Sequence, residues 1–211
     1  MKRLTCVLFA LVFAAAVSAQ TPEGVKTHTG HAMTMFNGTP MNQGLLPTAV
    51  AEAKIAAQHA ALAMKASGNL DQMKLHAGHV LHALDPSLEP KGPGLGYGVK
   101  RAAQGVAQHV GLAAKVEGAS KGIMTHSNHV ATSANNAVKW SDELIGVAKE
   151  IRSASNAAQV NAHLPHLNAV AQQLYAGVDA NRDGNVGWQE GEGGLQQAEM
   201  HMGLMMKGEG L

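Results

Sequence analysis

The sequence predicts an all-α protein, an up-and-down four-helix bundle with an additional helix-loop-helix at its C-terminal end. Three observations predict it. Long stretches consist largely of strong helix formers, Ala above all. These stretches stop at Gly-, Pro- or Asn-rich breaks, where helices end. No run of Val, Ile, Thr or aromatic residues alternates between turn clusters, as a strand would.

Taken in order, residues 1–19 have the layout of an export signal. A basic start at Lys2 and Arg3 precedes an apolar core from Leu4 to Val17, and Val17-Ser18-Ala19 offers a small-residue cleavage site. Residues 20–47 are rich in Gly, Thr, Asn, Pro and Met without apolar periodicity, which predicts an irregular N-terminal arm. Residues 48–152 form the predicted histidine-rich bundle. Thr48 fits the N-cap of a first helix over 49–66, ended by Ser67-Gly68-Asn69, and a second helix over 71–84 stops at Asp85-Pro86. A long irregular connection over 86–98 leads to a third helix over 99–117, a turn at 118–122 and a fourth helix over 123–152. Residues 153–211 hold a fifth helix over 156–177, a loop and a C-terminal helix. Pro165 is tolerated in that fifth helix only as a kink or at its start.

Composition excludes several functions. The single cysteine, Cys6, lies inside the signal, so a disulfide, a thiolate metal site and a thioether-linked haem are all excluded from the exported chain. Without Lys2 and Arg3, 14 of the 16 basic residues face 15 acidic ones, which gives no electrostatic draw toward nucleic acid. No segment after the signal approaches the roughly 20 apolar residues of a membrane span, so the expected chain is soluble and periplasmic or secreted. Gly-x-Ser-x-Gly and His-Glu-x-x-His are both missing, and no catalytic constellation emerges.

The loop reads Asp179-Ala-Asn181-Arg-Asp183-Gly184-Asn185-Val-Gly187-Trp188-Gln-Glu190. Oxygen donors fall at positions 1, 3, 5 and 12 and glycine at position 6, so residues 179–190 resemble a single EF-hand calcium loop. The resemblance implies side-chain ligation by Asp179, Asn181 and Asp183, a backbone carbonyl from Asn185 and a bidentate carboxylate from Glu190. It covers the loop and its flanking helices alone. No second loop is present to make the usual pair, which favours a structural staple over a sensor.

Twelve histidines, in a chain that is 3% aromatic, are the second signal. His28/His31, His76/His79, His79/His82, His126/His129 and His163/His166 repeat at three-residue spacing, which puts each helical pair on one helix face. Counting residues from the predicted turns sets His59, His76, His79, His109, His126 and His129 at nearly one height. This predicts a single histidine layer drawn from four helices. Neutral imidazoles without thiolate or bridging carboxylates suit zinc, copper, nickel or a haem iron with two axial histidines. His163 and His166 fall outside the layer. Met33, Met35 and Met41 lie near His28 and His31, and Met200, Met202, Met205 and Met206 surround His201; thioethers so placed suit copper or an apolar helix face.

The sequence therefore predicts an exported, non-enzymatic binding protein. It would hold calcium in one loop and a transition metal or haem in a histidine layer, for metal handling or electron transfer. The competing reading is a calcium-stapled structural or interaction module whose histidines bind no metal.

Overall fold

The computed structural model describes residues 20–211; residues 1–19, read above as an export signal, lie outside them. Among the described residues there are seven α-helices and no strand. They are α1 (Glu23–Met33), α2 (Leu45–Lys65), α3 (Leu70–Leu84), α4 (Val99–Ala113), α5 (Lys121–Ser153), α6 (Ala157–Ala176) and α7 (Leu195–Glu209). None is long and apolar enough to cross a membrane.

Local chemistry sets several starts. Asn69, Ser120 and Asn156 each accept a hydrogen bond from a backbone N–H three residues on, satisfying a donor that the first turns of α3, α5 and α6 would otherwise leave bare. Helix α2 begins three residues before the expected Thr48 cap. Pro47 sits in its first turn, where a missing N–H costs nothing, and Thr48 is buried, its hydroxyl donating to the Gly44 carbonyl. Helix α6 runs through Pro165 rather than starting there.

Helices α2, α3, α5 and α6 pack as a closed ring of neighbours. Helix α5, 33 residues or about 50 Å long at 1.5 Å per residue, extends past this ring. There α4 packs on both α5 and α2, α1 lies mainly on α4, and α7 lies mainly on α5. The bundle is thus helical throughout as expected, but α6 is a full member of the ring and α4 belongs to the other end of α5.

An alanine stripe runs along the buried face of α2, beside Leu45, Leu46 and Val50 at its start. Ala49, Ala53, Ala56, Ala60 and Ala63, spaced alternately by four and three residues, are all fully buried. Short side chains at a contact let helix axes approach more closely than large ones do. Larger residues fill the rest, with Leu84, Ile123, Leu144, Ile151, Leu167 and Leu174 fully enclosed.

The expected irregular arm is a correction. Residues 23–33 are helical, and Val25, Thr29 and Ala32, at i, i+4 and i+7, form a buried stripe. Gly24, Thr27, Thr29 and Gly30 have weak intrinsic helix preference, and packing overrides it. Gly24 fits closely against Val116, where a Cβ would stand 3.1 Å from a valine methyl. Deleting residues 20–43 should therefore lower the thermal midpoint of metal-free protein by roughly 5–10 °C, from about 2–3 kcal/mol of lost burial at about 2–4 °C per kcal/mol. Circular dichroism melting checks this, and an unchanged midpoint would return the segment to a loose arm.

Candidate metal centres

Each of three helices carries a His-x-x-His pair, and each pair meets one histidine from a neighbouring helix. His28 and His31 on α1 meet His109 on α4; His76 and His79 on α3 meet His59 on α2; His126 and His129 on α5 meet His201 on α7. In every triad one ring nitrogen from each histidine lies within 4.8 Å of the others.

The contacts are made by Nδ1 atoms. His59 Nδ1 stands 3.0 Å from that of His76 and 3.2 Å from that of His79. His201 Nδ1 stands 3.1 Å from that of His126 and 3.4 Å from that of His129. His28 and His109 approach to 3.1 Å through the same atoms, while His31 Nδ1 is buried without a hydrogen-bond partner. Two nitrogens bound at about 2.0–2.1 Å to one tetrahedral ion stand about 3.3–3.4 Å apart, so these spacings suit a shared cation.

Hydrogen bonding among the imidazoles serves the triads less well. A neutral imidazole has one N–H and one lone pair, so His59 Nδ1 cannot satisfy two Nδ1 neighbours at once, whereas one cation accepts all three lone pairs. Burial also keeps the lone pairs free. Desolvation, with smaller contributions from neighbouring imidazoles, pushes His59 and His201 down to about 4. Burial likewise lowers His76, His79, His109 and His129 from their ordinary value. Zinc or copper fits this donor set, which offers three imidazole nitrogens and leaves a fourth position for water or another ligand.

The surroundings differ. Phe36 stands edge-on to His31 and His109, with ring centroids 5.5 and 5.3 Å away. Trp188 stacks on His129 at 3.9 Å and 16°. The second triad instead has a charged pair beside it, Arg152 donating to Glu89 at 2.9 Å.

The single expected layer is corrected by this arrangement. Of its six histidines, His59, His76 and His79 do meet; His109 turns toward α1, and His126 and His129 turn toward α7. Residue counting from turns fixes height along a bundle but not the direction in which a side chain points around its helix axis. His28 and His31, assigned to the arm, and His201, noticed for its methionines, complete the first and third triads. His163 and His166 face carboxylates instead, 3.3 Å from Glu150 and 2.8 Å from Glu143. His82 is buried, its Nδ1 2.8 Å from the Glu89 carbonyl oxygen. Met202 and Met205 lie in the core, while Met35, Met41 and Met200 are exposed.

The loop between α6 and α7 folds around its acidic side chains. Asp179 accepts from the Asp183 and Gly184 N–H groups, Asn181 also accepts from Asp183, and Asp183 accepts from Asn185. Gly184 takes a φ of +91°, which only glycine adopts freely. Glu190 points out of the loop and pairs with Lys139 on α5. Glu192, only 3% exposed, turns inward and accepts from the Asn181 and Gly187 N–H groups. Asn136 of α5 binds the carbonyls of Gln189 and Gly193 and the N–H of Gly191, fastening the loop beside the third triad.

Compared with protein-family models, with curated proteins and with solved structures, the chain finds no match.

Metal-free protein should lose stability in mild acid. The unfolded chain takes up histidine protons near 6.5, while in the fold His59, His76, His79, His109, His129 and His201 take them up only at lower pH, about 4 for His59 and His201. The unfolded state therefore binds more protons between these values. Stability is full above about 6.5 and falls as pH drops toward 4. Urea midpoints at about pH 7.5, 5.5 and 4.5 measure it. Replacing His59 and His201 by Leu should flatten the dependence, and a dependence unaltered by that change would mean these imidazoles are not shielded in the fold.

Proposed function

We propose that this protein binds three transition-metal ions of the zinc or copper(II) class, one in each histidine triad, and that its role is metal handling. The observation that carries this reading is the threefold recurrence of one design, a His-x-x-His pair with a third imidazole from the next helix, at ligand-like Nδ1 spacing. Buried or half-buried histidines occur singly in many proteins for structural reasons. Nine of twelve sorted into three like groups is not expected from that alone.

Direct contact between Nδ1 atoms favours a bare ion over haem, since axial nitrogens must leave room for the macrocycle between them. The apparent export signal supports a role in the periplasm or outside the cell. A non-enzymatic carrier or buffer is the simplest use of three parallel sites. The competing reading, a structural module with inert histidines, leaves the shared Nδ1 contacts without a purpose.

Equilibrium dialysis at about pH 7.5 followed by elemental analysis tests the proposal. The full chain should retain three zinc or copper ions; His59→Ala, His109→Ala and His201→Ala should each retain two, and the triple variant none. Each site at a free metal level 100-fold above its Kd would add about 2.7 kcal/mol to stability. Failure of the full chain to retain metal would leave the structural module.

Calcium binding in the loop over 179–190 is proposed beside it, as a staple joining α6 to α7. Asp179, Asn181 and Asp183 would supply side-chain oxygens, and the buried Glu192, whose carboxylate lies against the Asn181 and Gly187 amides, would close the site in place of Glu190. Trp188, within the loop, supplies the signal. In a calcium titration of Trp140→Phe protein, Glu192→Gln should weaken binding at least tenfold and Glu190→Gln by much less. The reverse order would restore Glu190 as the closing ligand.

A further inference from the structure

The three triads are alike in their ligands and unlike in what borders them. Beside the first and third an aromatic ring lies against the imidazoles, Phe36 in one and Trp188 in the other. Beside the second runs an open groove of about 320 Å³, between α3 and the connection that follows it, lined by Gly78, His79, Glu89, Lys91, Gly92 and Arg152. We propose that the second triad is an anion-exchangeable metal site, whose ion takes a small oxyanion such as bicarbonate or a carboxylate from this groove as its fourth ligand. The proposal rests on the metal-binding reading given above.

Charge supports the choice of ligand. Three neutral imidazoles leave a divalent ion with its whole charge, so the fourth position draws an anion. The groove adds Lys91 and Arg152 against one carboxylate, that of Glu89. Arg152 Nη2 is bound to Glu89, while Nη1 lies along α3 and donates to the Lys74 carbonyl at 3.5 Å.

Position 78 shapes this arrangement. A Cβ built on Gly78 would stand 3.0 Å from Arg152 Nη1, so glycine between the ligands His76 and His79 lets the guanidinium lie flat on the helix next to His79. The equivalent position is Gly30 in the first triad and Asn128 in the third, and no arginine lies against Gly30. A guanidinium held there presents N–H donors to an oxyanion, the planar recognition for which arginine is suited. Glu89 sits on the connection between α3 and α4, so its pairing with Arg152 also fixes one wall of the groove.

Cobalt(II) is the probe, because its visible spectrum reports ligand exchange at an imidazole site. Three full-length double variants each keep one triad. His109→Ala with His201→Ala keeps the second, His59→Ala with His201→Ala keeps the first, and His59→Ala with His109→Ala keeps the third. Each is loaded with one cobalt ion and titrated with azide and then with bicarbonate. The protein keeping the second triad should shift its visible bands at anion concentrations at least tenfold below those that affect the others. Arg152→Gln and, separately, Lys91→Gln should raise that concentration about fivefold to tenfold without changing cobalt content. Equal responses from all three proteins, or none from the second, would overturn the proposal while leaving metal binding intact. Failure of cobalt to bind to any of them would instead remove the metal reading itself.

Discussion

Close approach of helices through small side chains is the constraint on which this structure depends. An imidazole reaches only a few ångströms beyond its helix, so two helices must run near each other before His59 can touch His76 and His79. The alanine stripe of α2 meets that need by placing only methyl groups at five buried positions from Ala49 to Ala63. Gly105 against Leu45 and Gly24 against Val116 act similarly where α4 meets α2 and where α1 meets the segment after α4. A leucine-rich core of the same length would bury more apolar area and hold the backbones farther apart. The exchange of hydrophobic area for proximity explains how a chain with so few aromatic residues can be both packed and rich in ligand-like clusters.

Much of the fold was readable because its punctuation is local. Asn69, Ser120 and Asn156 sit where caps belong, and α3 and α5 begin and end within two residues of expectation. Helix α1 was hidden for a physical reason. Its buried stripe of Val25, Thr29 and Ala32 carries too little hydrophobic contrast to mark a helix, and its stability comes from α4, a partner distant in sequence. The sites show the same division. The spacing that pairs His28 with His31, His76 with His79 and His126 with His129 is local and visible. The third member of each triad depends on which helices become neighbours. His59 could be assigned from the short α2–α3 turn, whereas His109 and His201 depended on where the two ends of the chain come to rest.

In the loop over 179–190, tertiary contacts decide where the acidic side chains turn. Its spacing marks Glu190 as the closing carboxylate, yet Lys139 on α5 offers that residue a partner outside. Glu192, two residues on, is buried between the Asn181 and Gly187 amides. Asn136 then ties the same stretch to α5, so the loop and Trp188 sit beside the third triad as one packed unit. Glu52 does comparable work elsewhere: fully buried on α2, it accepts from the Tyr97 and Gly98 N–H groups and pins the end of the connection that borders the second triad.

No helix contributes to more than one triad. The pairs α1 with α4, α2 with α3, and α5 with α7 share no member, and two of them include the helices nearest the ends of the described chain. An ion bound in any one triad would tie only its own pair of helices, so three filled sites would stabilise three separate parts of the bundle.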